Sequence, residues 1–427
     1  MAQIKVQNFG PIKSGLTENE GLVDIRKITV FIGNQGTGKS SIAKLISMFS
    51  WLEKQLYRGS LDAKDVTSRN RLVNTYCNYN NLKKYFRSGT EIEYHGSAYT
   101  MTYADSKLTI NPSNLSNNNL RKYVLPKIMY IPAERNFFSV IKKAEKVKGL
   151  PLMLLDFFKE LERSQQELSE TLDLPVGNVK LEFDQTSQSL ILRGDNYKLN
   201  ISEASSGFQS LVPAFLVSRN IALSINQNQG SSQSELSAEE QKRLTTEIQA
   251  IINDENLSKE LKKAALELLS SKYRNECFLN IVEELEQNLF PTSQRDILYK
   301  LLEFVNITAG NTLIMTTHSP YIIDYLTLAI KAQQILQTFD NFPKGEFLKT
   351  KLKNIVPLNS SIFPEDSIVY ELTDSGEIRK LSTYEGLPSD ENYLNSCLAE
   401  TNRFFSDLLE IEEEILFFQP LIRQSIK

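Results

Sequence analysis

The chain is poor in histidine. Only His95 and His318 occur in 427 residues, so a nuclease centre that needs several clustered histidines, of the HNH or HD kind, cannot be assembled. A carboxylate-based metal nuclease survives that count, but no D-x-D pair occurs in the last 150 residues. Cysteine is scarce as well. Cys77, Cys277 and Cys397 are odd in number and far apart, which fits a reducing compartment and no metal cluster. There is no run of 18 or more apolar residues, so no membrane span is expected. The opening "MAQIKVQNFG" carries no apolar signal core, and a cytoplasmic location follows as the expectation. A formal net charge of −4 argues against a general polyanion-binding surface and leaves only local basic patches open.

What is present is an α/β pattern. "QIKVQNF" alternates as a strand and "GPIKSG" turns it. "KITVFI" (27–32) reads as a buried strand, and Ile42, Leu45, Ile46, Phe49 and Leu52 then recur at helical spacing. Residues 90–110 read as two or three antiparallel strands, and "KIMYIPAERN" as a buried strand ending in charge. Residues 151–172 are strongly helical, and "NVKLEFD" with "SLILRG" forms a hairpin. A helix near 206–224 is followed by the polar stretch "NQNQGSSQSE", a linker opening a Glu- and Lys-rich helical insertion that ends near 276. "CFLNIVEE" and "NTLIMTTH" are two further buried strands. "SIVYELTDSGEIRKL" is a hairpin, and the chain closes in an acidic, apolar helix.

Between the strand 27–32 and its helix lies Gly33-Asn34-Gln35-Gly36-Thr37-Gly38-Lys39-Ser40, which fits the phosphate-binding pattern G-x-x-x-x-G-K-[ST]. Glycine permits the positive-φ turns that aim successive backbone N–H groups into one concave nest. The helix behind it, opening with Lys39, Ser40 and Ser41, adds N-terminal donors and a positive dipole end. Lys39 suits the β- and γ-phosphates, and the Ser40 hydroxyl suits Mg²⁺.

Three further segments decide the kind of nucleotide site. "FLNIVEELEQNLFP" is an apolar strand ending in Glu283-Glu284, an acid pair fit for a Mg²⁺-side carboxylate and a water-orienting base. "LIMTTHSP" ends in His318. "NISEASSGFQSLVPAFL" sets Ser206-Gly207 before an apolar helix, a second phosphate-binding surface. Taken alone, the acid pair reads as an exposed turn and the Ser-Gly as an ordinary cap; their order along the chain carries the argument.

That order resembles the ABC-type ATPase head, in particular the family of SMC, RecF and OLD proteins. "IKVQNFGPIKSG" is close to its first strand and turn, "VEELEQNLFP" to its "EEPEaHLHP" pattern, "TTHSPYII" to its switch-histidine strand and "YIPAER" to its Q-loop segment. The resemblance implies an α/β head with a mixed sheet, an antiparallel β subdomain, helical insertions and an α+β C-terminal region. It implies ATP and Mg²⁺ as ligands, with Lys39 and Ser40 on the phosphates and metal. Glu283 takes the metal-side aspartate position, Glu284 is the base, and His318 contacts the γ-phosphate. Ser206 and Gly207 cap the ATP of a second copy, so ATP joins two heads. Phe208 stands where the family has glycine, Glu283 replaces aspartate, and "PAERNF" offers Glu134 and Arg135 where glutamine is usual. These departures imply slow or partner-dependent hydrolysis.

The expected layout is an N-terminal part at 1–225 with a helical arm near 137–175, an insertion at 226–276, a C-terminal part of the head at 277–330, and a partner- or oligomer-contacting tail at 331–427. A tail without an acid cluster resembles the nuclease-free ATPases of bacterial antiphage systems (Septu, its retron-linked relatives, PARIS). Those act with a separately encoded nuclease or toxin of HNH or Toprim type. Two alternatives stay open. One is a RecF-like DNA-maintenance ATPase, with Lys142, Lys143, Lys146 and Lys148, or Lys344, Lys349, Lys351 and Lys353, as DNA-contacting patches. The other is a scaffold locked by ATP without turnover.

Overall fold

The computed structural model describes residues 2–113, 123–141, 147–226, 238–254, 257–339 and 345–425. Of the linker expected at 226–235 all but Asn226, together with the candidate patch residues Lys142, Lys143, Lys146 and Lys344, lie outside the described residues.

Two sheets begin in the first third of the chain, and only the first of them is completed there. One is antiparallel and joins β1 (Gln3–Phe9) to β3 (Val23–Asp24) on one side and β5 (Phe86–His95) on the other. It continues through β6 (Tyr99–Ala104) and β7 (Lys107–Pro112). The other is mixed and has seven strands. Its elements are β2 (Gly15–Leu16), β4 (Ile28–Gly33), β8 (Pro126–Ile131), β13 (Cys277–Val282), β14 (Thr312–Thr316), β15 (Ser367–Leu372) and β16 (Glu377–Lys380). The spatial order is β2-β16-β15-β4-β14-β13-β8, with β15, β4, β14, β13 and β8 mutually parallel. A smaller four-stranded sheet is built from β9 (Leu172–Asp173), β10 (Lys180–Asp184), β11 (Ser189–Arg193) and β12 (Lys198–Asn200).

The parallel strands read as unbroken apolar runs because both faces of the mixed sheet are covered. All six residues of β4 and of β13 are buried. Alternation divides them between two cores: Phe31, Ile281 and Ile314 face α1 (Lys39–Arg58), while Val30, Ile32, Val282 and Met315 face the other layer. Ile42, Leu45, Ile46, Phe49 and Leu52 of α1 are fully buried, each adding about 2 kcal/mol of hydrophobic stabilisation. The helix stops at Gly59, a left-handed cap.

The opposite layer holds α2 (Leu152–Gln166), α3 (Ser206–Asn226), α6 (Pro291–Ile307) and α7 (Pro320–Thr338). Between α3 and α6 in sequence, α4 (Ala238–Asn253) and α5 (Lys259–Tyr273) pack as a pair with their own small core around Leu269 and Tyr273. By length and composition Ser206–Ile225 could cross a membrane, but 67% of it is buried in this core.

Two boundaries differ from expectation. The segment 151–172 ends its helix at Gln166, and α2 is no projecting arm: Leu154, Phe157, Phe158 and Leu161 sit in the main core. Residue 330 marks no domain edge. β15 pairs with β4 from Ser367↔Ile28 to Leu372↔Gly33, so the tail supplies an interior strand of the mixed sheet. Beyond it, α8 (Tyr393–Ser425) is the final element.

Candidate nucleotide site

The parallel strands β4, β14 and β13 end side by side, and their C-terminal ends carry Gly33, His318 and the Glu283-Glu284 pair. Gly33, Gly36 and Gly38 have φ of 136°, 78° and 107°. At Gly33 the reason is contact as well as conformation: a Cβ there would lie 2.2 Å from the Leu372 carbonyl oxygen. Lys39 is buried, and its Nζ donates to the Gly33 and Asn34 carbonyls at 2.9 and 2.7 Å. Thr37 Oγ1 donates to the Asn34 carbonyl at 2.9 Å, closing the loop on itself. Burial lowers the Lys39 pKa to about 8 despite the opposing charges of Glu284, Glu286 and Asp374. Ser40 is exposed and Ser41 buried in the first turn of α1, where helical N–H groups have no intrahelical acceptor.

Glu283 continues the β13 alternation onto the α1 side, sharing it with Leu279 and Ile281, whereas Asn280 points the other way and bonds Ser218 of α3. Its carboxylate is almost fully buried. Oε2 accepts from the Ala133 N–H at 3.2 Å, and Oε1 is buried with no hydrogen-bond partner. An unpartnered carboxylate oxygen on this face fits a hard cation. Among the described residues no group of three His, Cys, Asp or Glu side chains could hold a metal alone. Mg²⁺ held by Glu283, the Ser40 hydroxyl and phosphate oxygens is consistent with that donor set.

Glu284 adopts φ 43°, donates its N–H to Thr316 Oγ1 at 3.2 Å and brings Oε1 to 3.9 Å from His318 Nε2. Burial and the nearby Glu286 and Glu283 raise its pKa, against Arg135 and Lys39. Burial, then Lys39, lowers that of His318, which keeps the imidazole neutral near pH 7. A carboxylate with a raised pKa beside a neutral imidazole is suited to accept a proton from water.

Two residues of the site differ from or extend the sequence reading. Arg135, placed with Glu134 in the Q-loop, is a clamp: it is 1% exposed and donates only into backbone carbonyls. Nε reaches Ser210 at 3.0 Å, Nη1 reaches Pro132 at 3.2 Å and Glu283 at 2.6 Å, and Nη2 reaches Glu284 at 2.6 Å. Glu134 stays exposed. Glu286 went unrecognised. Its carboxylate accepts from Thr317 Oγ1 at 2.8 Å and from the His318 N–H at 2.6 Å, tying the turn after β13 to the one after β14. The sequence signal was a third acid two residues past the pair, at the third glutamate of the "EEPEaHLHP" pattern.

Ser206 and Gly207 open α3 as expected, against the turn that follows the acid pair. Ser206 is exposed. A Cβ on Gly207 would lie 2.9 Å from the Asn288 carbonyl, and Asn288 in turn donates to Ser210 Oγ at 3.0 Å. Gln209 bonds the Ser202 and Ala204 carbonyls. Among the described residues, Ser206 and Gly207 make no hydrogen bond to residues 33–41. Phe208 packs against the main core. In the second basic patch Lys349 pairs with Glu346 and Lys351 lies 4.7 Å over the Phe347 ring.

Residues 1–277 match the AAA ATPase domain family, AAA_15. The chain belongs to that family. The match covers the phosphate loop and ends before Glu283, so the acids and His318 of this AAA ATPase domain protein rest on geometry. No curated protein matches the chain. Solved structures similar to it include an SMC head bound to the C-terminal winged-helix domain of ScpA. That likeness has 11% identity, covers 90% of this chain and 98% of that one, and has a TM-score of 0.36. The SMC head domain from Thermotoga maritima has 11% identity, coverages of 76% and 90%, and a TM-score of 0.32. A dimeric ATP-binding cassette bound to ADP and Pi has 12% identity, coverages of 90% and 100%, and a TM-score of 0.28. At such scores the likeness carries no weight of its own.

Proposed function

We propose that this AAA ATPase domain protein is an ABC-type ATPase that binds ATP with Mg²⁺ between two copies of itself and hydrolyses it. The observation that carries the reading is the convergence of Lys39, Glu283, Glu284 and His318 at one edge of the parallel strands, with Ser206 left exposed at the start of α3. Lys39 and the loop N–H groups bind the phosphates, and Glu283 with Ser40 holds the metal. Bound Mg²⁺ supplies charge neutralisation at the β- and γ-phosphates. Glu284 orients water and accepts its proton, and His318 positions the γ-phosphate. Ser206 and Gly207 complete the site of the second copy.

In the cell this cycle assembles a scaffold or sensor of an antiphage complex that controls a separately encoded nuclease or toxin. What supports a partner-bearing role is α8, which presents Phe404, Phe405, Leu408 and Ile411 to solvent.

Complementation tests the sandwich. Lys39→Ala and Ser206→Arg proteins are each inactive. Mixed in equal amounts, they should recover roughly a quarter of wild-type turnover, because half the dimers then hold one intact site of two. A mixture no more active than its components would refute the two-copy site.

A further inference from the structure

A second cavity, of about 510 Å³, opens on the far part of α1. Its wall begins at Ser47, Met48 and Trp51, roughly 10 to 17 Å along the helix axis from Ser40 at 1.5 Å per residue. β8 supplies Ile128, Met129 and Tyr130, and α2 supplies Leu152, Met153 and Asp156. The remaining side is a π-helical turn, Leu72–Cys77, an irregularity found frequently at functional sites.

The lining is chemically biased. Three of the six methionines of the chain and its one tryptophan meet here, beside Tyr76 and Tyr79. Trp51 is 40% exposed and lies 6.0 Å from Tyr76 between ring centroids, at 49°. Such faces and thioethers bind the flat side of an aromatic ring. Around them stand the amides of Asn74 and Asn78 and the hydroxyls of Ser47 and Thr75, which match the donors and acceptors on a base edge. No lysine or arginine lines the cavity, and its one charged side chain is Asp156, already bonded to the Tyr79 hydroxyl. A phosphate would enter next to a carboxylate, and the cations beside the cavity, Lys159 and Lys44, are already engaged by Asp156 at 3.6 Å and by the Tyr130 ring at 6.0 Å. The volume lies within the range of small-ligand sites, about 300–1,000 Å³.

We infer that this cavity is a binding site for an uncharged nucleoside or nucleobase, separate from the phosphate loop. The ring stacks among Trp51, Tyr76 and Tyr79, and the rim amides read its edge. The occupant also borders the site indirectly: Tyr130, in the wall, lies on β8, the neighbour of β13, and its buried phenol is close enough to Glu283 to feel that charge.

Trp51 makes the test direct, because intrinsic tryptophan fluorescence reports this site alone. Full-length protein is titrated with adenosine, guanosine, cytidine and uridine and with their 5′-monophosphates. At least one nucleoside should give a saturable change, with half-saturation about tenfold or more below that of its monophosphate. Leu152→Arg and Thr75→Arg, two exposed rim positions, should each abolish the response while ATP turnover persists. Lys39→Ala should leave the response intact. Silence with all four nucleosides overturns the inference. Equal responses to nucleoside and monophosphate, or a response lost in Lys39→Ala but kept in both rim variants, overturn it as well.

Discussion

Lys39 shows what burial does to a phosphate-binding cation. The ammonium is stripped of water beneath the loop, and two backbone carbonyls do not restore its hydration, so its pKa drops from 10.5 to about 8. Because the folded value is the lower one, the unfolded chain holds the proton between pH 8 and 10.5 where the folded chain has released it. Stability therefore rises with pH across that window. Nucleotide affinity has the opposite sign, since a triphosphate favours the charged form. ATP affinity should fall above pH 8, approaching tenfold per unit by linkage. His318, lowered from its ordinary value of 6.5, does not titrate in that window. Calorimetric ATP titrations from pH 7 to 9.5 check this, with Lys39→Arg as the non-titrating control. A wild-type affinity flat across that span would show that the lysine stays charged or plays no part.

Elements, by contrast, are held in register by side chains whose roles the sequence hides. The strands and helices of the site were legible because burial imposes periods of 2 and 3.6, and Ile42, Leu45, Ile46, Phe49 and Leu52 keep the latter without a break. The phosphate loop was legible because glycine has few other reasons to cluster before Lys39. The role of Arg135 stayed open in the sequence for a physical reason: nothing local tells that it turns inward to four carbonyls, two of them nearly 150 residues away. Glu286 was missed likewise, since its partners Thr317 and His318 lie 31 and 32 residues on. Arg135→Lys tests the clamp. One ammonium cannot match a planar fork with partners on both sides, and buried acceptors left without donors cost about 1–3 kcal/mol each. Urea unfolding should show a loss of about 2 kcal/mol or more, with turnover falling further than ATP affinity as Glu284 loses its fixed backbone. An unfolding midpoint equal to wild type would mean that the four bonds contribute nothing.

For the whole molecule, the decisive feature is that the chain's last third returns to complete the sheet its first third began. β15 lies against β4 across more than 330 residues, and parallel pairing at that distance leaves no mark in either segment. The hairpin β15–β16 was visible as a hairpin; its destination was not. The Gly33–Leu372 contact joins the two ends at the phosphate loop itself, so the tail helps to shape the nucleotide site as well as the core. Shortening the chain to residues 1–330 would leave β4, buried on both faces, as a bare edge with unpaired N–H and C=O groups. That fragment should lose its cooperative thermal transition and its ATP binding together. A fragment ending at residue 391 keeps β15 and β16 and should retain both. Calorimetry and nucleotide titration on the two fragments decide the matter. A 1–330 fragment that melts cooperatively and binds ATP would mean that the returning strand is an accessory to the fold and not part of its foundation.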